Sequence, residues 1–186
     1  LSVSTDAILR LLPRGANTPS TSAEEIEQLL QQGTAEGIFQ RSEEAFVSGV
    51  FDYSDRQAHD VMTTRTEIAA LDVKLTPKEA LNQAALSGFS RFPIYESHLD
   101  NVIGYAHIKD LIWADKTTSL RDIARQVILV PESATLPDVY KHLTTEHSHM
   151  AIVLDEHGGT AGLLTLEDVL EVIVGEINDE YHISRG

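Results

Sequence analysis

From Asp60 onward the chain repeats itself. At an offset of 58 residues Phe92-Pro93-Ile94-Tyr95 aligns with Met150-Ala151-Ile152-Val153, Gly104 with Gly162, and Asp110 with Asp168, without a gap. Upstream, Ala70-Leu71 aligns with Ile128-Leu129. A repeat of this length is one supersecondary unit, and it leaves an apolar face that its neighbour must cover. Two like units packed face to face are therefore the expected core.

Each unit reads strand, helix, strand, strand, helix. In the first, Ile68 to Val73 is a short strand. Thr76-Pro77-Lys78-Glu79 then opens a helix, with Thr76 as N-cap, Pro77 at N1 and Glu79 at N3. Leu81, Ala84 and Ala85 form its apolar stripe. Phe92 to Tyr95 is a strand, Ser97 to Asn101 a polar turn, Val102 to Ala106 a strand, and Ile108 to Trp113 the start of the closing helix. In the second, Val127 to Val130 is a strand and a helix begins near Pro137. Met150 to Leu154 is a strand, Asp155 to Gly159 a hairpin loop and Ala161 to Leu164 a strand. A last helix runs from Thr165 to about Ile177.

Residues 1–20, with Pro13, Gly15 and Pro19, read as a flexible lead-in. Ser22 and Glu25 have capping-box spacing ahead of the stripe Ile26, Leu29 and Leu30. Gly33 and Gly37 interrupt that helix, and a second begins near Ser42 with Phe46, Val50 and Phe51 on its apolar face. The predicted class is α/β (α+β): tandem β-α-β-β-α repeats packed as a pseudo-twofold pair, preceded by linker helices. The expected organisation is 1–58 linker, 59–120 first repeat, 121–178 second repeat and 179–186 tail.

Lys plus Arg number 14 and Asp plus Glu 29, a formal charge of −15. That field repels nucleic acid and anionic lipid, and a polyanionic ligand would need local basic groups, helix N-termini or a metal counter-ion. Cysteine is absent, which excludes disulfides, thiolate zinc sites and cysteine nucleophiles. No apolar run reaches the ~18 residues of a membrane-spanning helix. Leu1 to Arg10 lacks the basic start and apolar core of a signal peptide, so a soluble, cytosolic piece is expected. No G-x-S-x-G elbow, P-loop or H-E-x-x-H motif is present, so catalysis finds no footing. His142, His147 and His149 match neither one helix face nor a zinc spacing. Trp113 is expected to pack where the repeats meet.

The most informative segment is Gly162-Leu163-Leu164-Thr165-Leu166-Glu167-Asp168, echoed by Gly104-Tyr105-Ala106-His107-Ile108-Lys109-Asp110. It lies where a strand ends and a helix begins, a junction whose free N–H groups and dipole suit phosphate. An aspartate in the first turn can accept two hydrogen bonds from a ribose diol. Thr165-x-x-Asp168 is equally a helix capping box. His107 is a poor substitute for threonine in that role, yet Asp110 is kept, which argues for more than capping.

These units resemble CBS domains, and the pair resembles the Bateman module of the CorC/HlyC family, relatives of the CNNM magnesium transporters. The resemblance is carried by Asp60-Val61-Met62-Thr63-Thr64-Arg65, Ser90 to Tyr95, Gly104 to Asp110, and Gly162 to Ile177. The segment Ser22 to Phe51 is similar to the family's bridge between its membrane domain and its CBS pair. Thr64 stands where many relatives carry proline, and His107 replaces the hydroxyl in the first repeat.

The resemblance implies a regulatory module, not an enzyme, that binds ATP or AMP with Mg²⁺ between the repeats and controls Mg²⁺ or Co²⁺ transport. It implies that Asp168 holds the ribose and Thr165 faces the phosphates. Thr64, Ile68 and Ala69 with Met150 and Ala151 would border the adenine, and Arg65 is a phosphate candidate. A weaker pseudo-symmetric site would use His107, Asp110, Arg91 and Phe92, with Arg91 a further phosphate candidate. No side chain is expected to ligate metal directly. The implied partners are a second copy, through the CBS pairs, and a membrane domain before Leu1. The implied location is the cytoplasmic side of the inner membrane, without nucleic acid. The alternative is a structural dimerisation module that ignores nucleotides.

Overall fold

The computed structural model describes residues 23–115 and 117–175. The lead-in at 1–20, the Ser22 cap, the end of the last helix at Ile177 and the tail at 179–186 lie outside the described residues. The chain divides into two compact units, 1–44 and 45–186. In the first, α1 (Ala23–Ala35) runs through Gly33 because the Phe39 ring folds back there; an added Cβ would meet that ring at 2.6 Å. Gly37, at φ +75°, ends the turn that follows. α2 (Arg41–Asp55) starts near the predicted Ser42. Within the second unit its Phe46 and Val50 stay 50% and 40% exposed. Gly49 makes its close contact, lying against the carbonyls of Val172 and Ile173.

The rest of the second unit runs α3 (Ala58–Val61), β1 (Thr63–Thr64), a 3-10 turn (Arg65–Glu67), β2 (Leu71–Asp72), α4 (Pro77–Ala85), β3 (Arg91–Glu96), β4 (His98–His107), α5 (Ile108–Trp113) and α6 (Leu120–Ile123). It continues with β5 (Ile128–Pro131), α7 (Leu136–Thr145), β6 (Met150–Leu154), β7 (Thr160–Thr165) and α8 (Leu166–Val174). The predicted cap of α4 is present, with the Thr76 hydroxyl accepting from Glu79 N–H and the Glu79 carboxylate accepting from Thr76 N–H. The expected strand at Ile68 to Val73 narrows to Leu71–Asp72, because Ile68 turns instead into the seam between the repeats.

Each repeat builds a sheet with one parallel and one antiparallel pairing. β2 runs parallel to β3, and β3 antiparallel to β4. β5 runs parallel to β6, and β6 antiparallel to β7. The two sheets then exchange their leading segments. β1, which opens the first repeat, adds to the edge of the second repeat's sheet, with Thr63 opposite Leu163 and Thr64 opposite Gly162. In return Arg125, which leads into the second repeat, pairs with Tyr105 of β4; Tyr105 N–H donates to Arg125 O at 3.0 Å and Arg125 N–H to Tyr105 O at 2.8 Å. The repeated glycines permit this approach. A Cβ on Gly162 would meet Thr63 O at 2.5 Å, and one on Gly104 would meet Arg125 O at 2.6 Å.

The strand pairing corrects the register of the repeat. Ile94 lies opposite Gly104, but Val153, not Ile152, lies opposite Gly162. The first hairpin therefore spans one residue more than the second (104 − 94 = 10 against 162 − 153 = 9). The offset of 58 holds for β4 and β7, while β3 and β6 correspond at 59 (151 − 92). Phe92 thus matches Ala151, and Arg91 matches Met150. Leu71 matches Val130, both buried, not Leu129, which is 54% exposed. The extra residue lies between Tyr95 and Val102, where the first hairpin's register shifts before its turn at Ser97, which adopts φ 72°.

At the corrected register the two cores trade volume between strand and helix. The first repeat packs Phe92 over Ala80 and Ala84. The second packs Ala151 over Val139 and Leu143. A bulky strand residue with small helix residues fills the same space as the reverse, which keeps both cores dense. Trp113 does not pack between the repeats. It ends the short α5 at 82% exposure, and Leu111 takes the buried position instead.

Phe92→Ala should cost about 3–5 kcal/mol, since the ring is 1% exposed and Ala80 and Ala84 cannot close the void. Gly162→Val should cost about 1–3 kcal/mol or more by forcing β1 off β7. Urea unfolding midpoints at constant m-value test both.

Candidate functional site

The repeats meet on a third apolar cluster that includes Tyr105, Met150, Ile152 and Leu163. Met150 and Leu163 also form the floor of a cavity of about 430 Å³. Its apolar wall is completed by Ile68 and Ala69 from the leading segment, and its rim by Thr63 and the Gly88–Arg91 turn. The second repeat contributes Thr165, Glu167 and Asp168. An apolar slot with a few polar groups at one end, of this volume, suits a small organic ligand.

Thr165 is the N-cap of α8, its hydroxyl accepting from Asp168 N–H at 3.2 Å. Asp168 Oδ2 accepts from Thr165 N–H at 2.7 Å. The capping role is therefore real. It uses one carboxylate oxygen, and Oδ1 of Asp168 takes no hydrogen bond among the described residues.

The corner in the first repeat is built alike and ends differently. His107, expected to cap poorly, does cap: its Nδ1 accepts from Lys109 N–H at 3.1 Å, while Asp110 Oδ2 accepts from His107 N–H at 3.3 Å. Both oxygens of Asp110 are then taken by Arg125, Nη2 to Oδ1 at 2.9 Å and Nε to Oδ2 at 3.0 Å. These hydrogen bonds hold the Asp110 carboxyl below its ordinary range. Burial, and then the positive charge of Arg91, lower His107. In the second corner, the position opposite the strand that Arg125 occupies belongs to Thr63, which has no charge to spend on Asp168.

The CBS-domain family profile matches residues 120–175. The structure of the CBS domain of the bacterial CNNM/CorC family Mg²⁺ transporter is 35% identical and superposes with a TM-score of 0.76, over 85% of this chain and 99% of that one. This chain belongs to the CBS modules of the CNNM/CorC family. A CBS structure of that family in complex with ATP is 36% identical, with a TM-score of 0.68 over 73% of this chain and 99% of that one. Among curated relatives, the magnesium and cobalt efflux protein CorC of Escherichia coli is 34% identical over 162 residues, 85% of this chain and 56% of CorC. The protein YhdP of Bacillus subtilis is 35% identical over 175 residues, and the chain spans 39% of its length. Among the described residues no helix is long and apolar enough to cross a membrane.

Within this CBS pair the cavity gathers five residues singled out from sequence: Ile68, Ala69, Met150, Thr165 and Asp168. Arg91 joins them, not the pseudo-symmetric set to which sequence assigned it. Thr64, Arg65 and Ala151 are not on the cavity wall. Strand alternation turns Thr63 inward and Thr64 outward, where its hydroxyl donates to Glu67 at 2.7 Å. Arg65 is engaged by Asp100 and donates to Thr160 O at 2.8 Å. Ala151 and Phe92 are core residues at matching positions. Sequence reasoning passed over Thr63, Glu67, Leu163, Glu167 and the Gly88–Ser90 turn. Only the exchange of leading segments and the one-residue register shift bring them here. Among the described residues no three His, Asp or Glu side chains converge as a metal site, and His142, His147 and His149 do not assemble one.

Asp100 ties the first repeat's hairpin to both the leading segment and β7, accepting from Arg65 and from Thr160 N–H at 2.9 Å. Those bonds, Arg65's foremost, hold its carboxyl at about 2, against 3.8 ordinarily. A carboxylate lowered in the folded state adds stability above its unfolded value and loses it as pH falls through the folded one. Asp100→Asn should melt below wild type at neutral pH, and the gap should close between pH 3.8 and about 2. Thermal melts across that range check this, and a gap undiminished at the acid end would refute it.

Proposed function

We propose that this chain is the nucleotide-responsive regulatory module of a CorC-type divalent-cation transporter. It binds ATP or AMP in the cleft between its repeats and does no catalysis. The observation that carries this reading is Asp168, which lines an apolar cavity and, among the described residues, keeps one carboxylate oxygen unbonded after capping its helix. That oxygen would take a ribose hydroxyl, Thr165 and the α8 N-terminus would face the phosphates, and Ile68, Ala69 and Met150 would flank the adenine. Arg91 is the phosphate cation. Asp110, clamped by Arg125, would leave the pseudo-symmetric site of His107, Asp110 and Phe92 unused.

The proposed setting follows the family. Residues 59–120 and 121–178 form the two repeats. Two copies pair through them, and 1–58 links them to a membrane domain on the cytoplasmic face, where the ion moved is Mg²⁺ or Co²⁺. Thr63 and Glu67–Ala69 line the cavity and continue backward into α3 and α2, so a ligand that draws the cleft together would pull on the linker. Such coupling exists only if the ligand prefers one arrangement. A ligand-free dimerising scaffold is the second reading, and the complete capping boxes at both corners favour it.

The cavity wall sets one arginine against Glu67, Glu167 and Asp168. ATP should therefore lean on Mg²⁺ more than AMP does, losing about tenfold or more in EDTA. Asp168→Asn keeps an acceptor for the cap and loses the charge-assisted bond to ribose, so AMP should bind about ten- to a hundredfold more weakly. Asp110→Asn should leave nucleotide affinity unchanged. Titration calorimetry with ATP and AMP, with and without Mg²⁺, reads all of these. A wild type indifferent to both nucleotides would leave the scaffold reading.

A further inference from the structure

Both corner aspartates also line a second cavity, on the flank of their helix. In the first repeat, Asp110 and Trp113 of α5 and Ile123 of α6 line one with Arg125. At the offset of 58 residues, Asp168 and Glu171 of α8 line another, of about 450 Å³, with Asp60 and Val61 of α3 and with Arg56. Among the described residues each cavity wall carries one arginine beside one corner aspartate. In the first the two are joined as the bidentate Arg125–Asp110 pair. In the second they are not: Arg56 Nη2 lies 3.2 Å from Asp52 Oδ2, one turn back in α2. That pair is 46% and 57% exposed, and such pairs hold weakly. The Arg56 backbone is fixed, since its carbonyl accepts from Leu136 N–H at 3.0 Å and Ala58 N–H donates to Ala134 O at 2.8 Å. Only the side chain is free to change partner. The cavity favours the change, because its other ionisable wall residues, Asp60, Asp168 and Glu171, are acidic. Asp60 is engaged already, accepting from Gln57 N–H at 2.9 Å and paired with His59 at 3.1 Å. Asp168 has an oxygen that takes no hydrogen bond among the described residues.

We propose that Arg56 is a latch on Asp168. It exchanges Asp52 for Asp168 and so closes the ribose position, as Arg125 closes the first corner. This rests on the nucleotide reading above and adds its regulation; Arg56 is a positioning residue that acts through Asp168. Asp52 belongs to α2, which Gly49 seats against the Val172 and Ile173 carbonyls of α8. An α2 that shifts on this seat carries Asp52 away and releases the arginine to Asp168. A ligand on Asp168 returns the arginine to Asp52 and favours the seated α2. Linkage makes the two effects equal in free energy.

The test is calorimetry with AMP on wild type, Asp52→Asn, Arg56→Gln and the double variant, each checked by thermal melting. Asp52→Asn frees the latch and should weaken AMP about three- to tenfold, by lowering the fraction of open sites. Loss of a negative charge would by itself draw an anion closer, so this weakening has the opposite sign to a field effect. Arg56→Gln removes the latch, and the double variant should bind AMP at least as tightly as wild type. AMP affinity unchanged or raised in Asp52→Asn would overturn the proposal. So would a weakening that persists in the double variant. Ligand-free melts in the Asp52→Asn background read the latch without nucleotide. There Arg56→Gln and Asp168→Asn break the same pair, so their losses should be less than additive; additive losses would overturn the latch. If wild type binds no AMP, the nucleotide reading fails, and these melts alone decide whether Arg56 reaches Asp168.

Discussion

The approach of each leading segment to a glycine on the opposite repeat is the contact on which the rest of the second unit depends. Thr63 O packs over Gly162, and Arg125 O over Gly104, at separations where a methyl group would not fit. Because of these two contacts each repeat's first residues belong to the other repeat's sheet edge. Edge strands left open are liabilities; here each covers the other. The same exchange carries Ile68 and Ala69 across to Met150 and Leu163, and so creates the apolar cavity. An arrangement without the exchange would place the two halves of that wall on separate domains.

A duplicated corner has acquired two electrostatic fates. Both corners cap their helix through the same pair of positions, and both keep an aspartate. In the first, Arg125 occupies both carboxylate oxygens, so the charge is neutralised inside the protein. In the second, Thr63 stands at the matching position and Asp168, among the described residues, retains an unbonded oxygen beside the cavity. A bidentate arginine pair is strong and directional, which makes the first corner a structural clamp. Pseudo-symmetry of backbone thus does not extend to chemistry. The difference is one side chain on the leading segment that pairs beside each corner.

The charge balance around the cavity follows from the same construction. An arginine from the first repeat faces a glutamate from the second, and the remaining ionisable wall residues, Glu67 and Asp168, are acidic. In a chain of formal charge −15 a local anion site needs such a cation to be dedicated to it. Arg65, which looked available for that role, is instead committed to Asp100 and to the Thr160 carbonyl. It holds the leading segment in place, and among the described residues Arg91 is the arginine on the cavity wall.

Much of this was legible in one dimension. The α4 cap, the strand at Met150–Leu154, the start of α8 and the pairing of two alike units all rest on local signals: cap residues, apolar runs and glycine at fixed spacing. The register of β3 against β6 was not legible, because Phe92, Pro93 and Ile94 and likewise Ala151, Ile152 and Val153 are all buried. Strands covered on both faces lack the alternation that fixes register. Phe92 and Arg65 were placed in sites for the same kind of reason, since residue type says what a side chain can bind and not which way it points. The sequence by itself determined the duplicated unit, its helix starts and the aspartate at each corner, because those depend on neighbours a few residues away. Only the tertiary structure decided which aspartate stays open and which arginine faces the cavity, because a hydrogen bond from Arg125 or a glutamate from the other repeat reaches its partner through space.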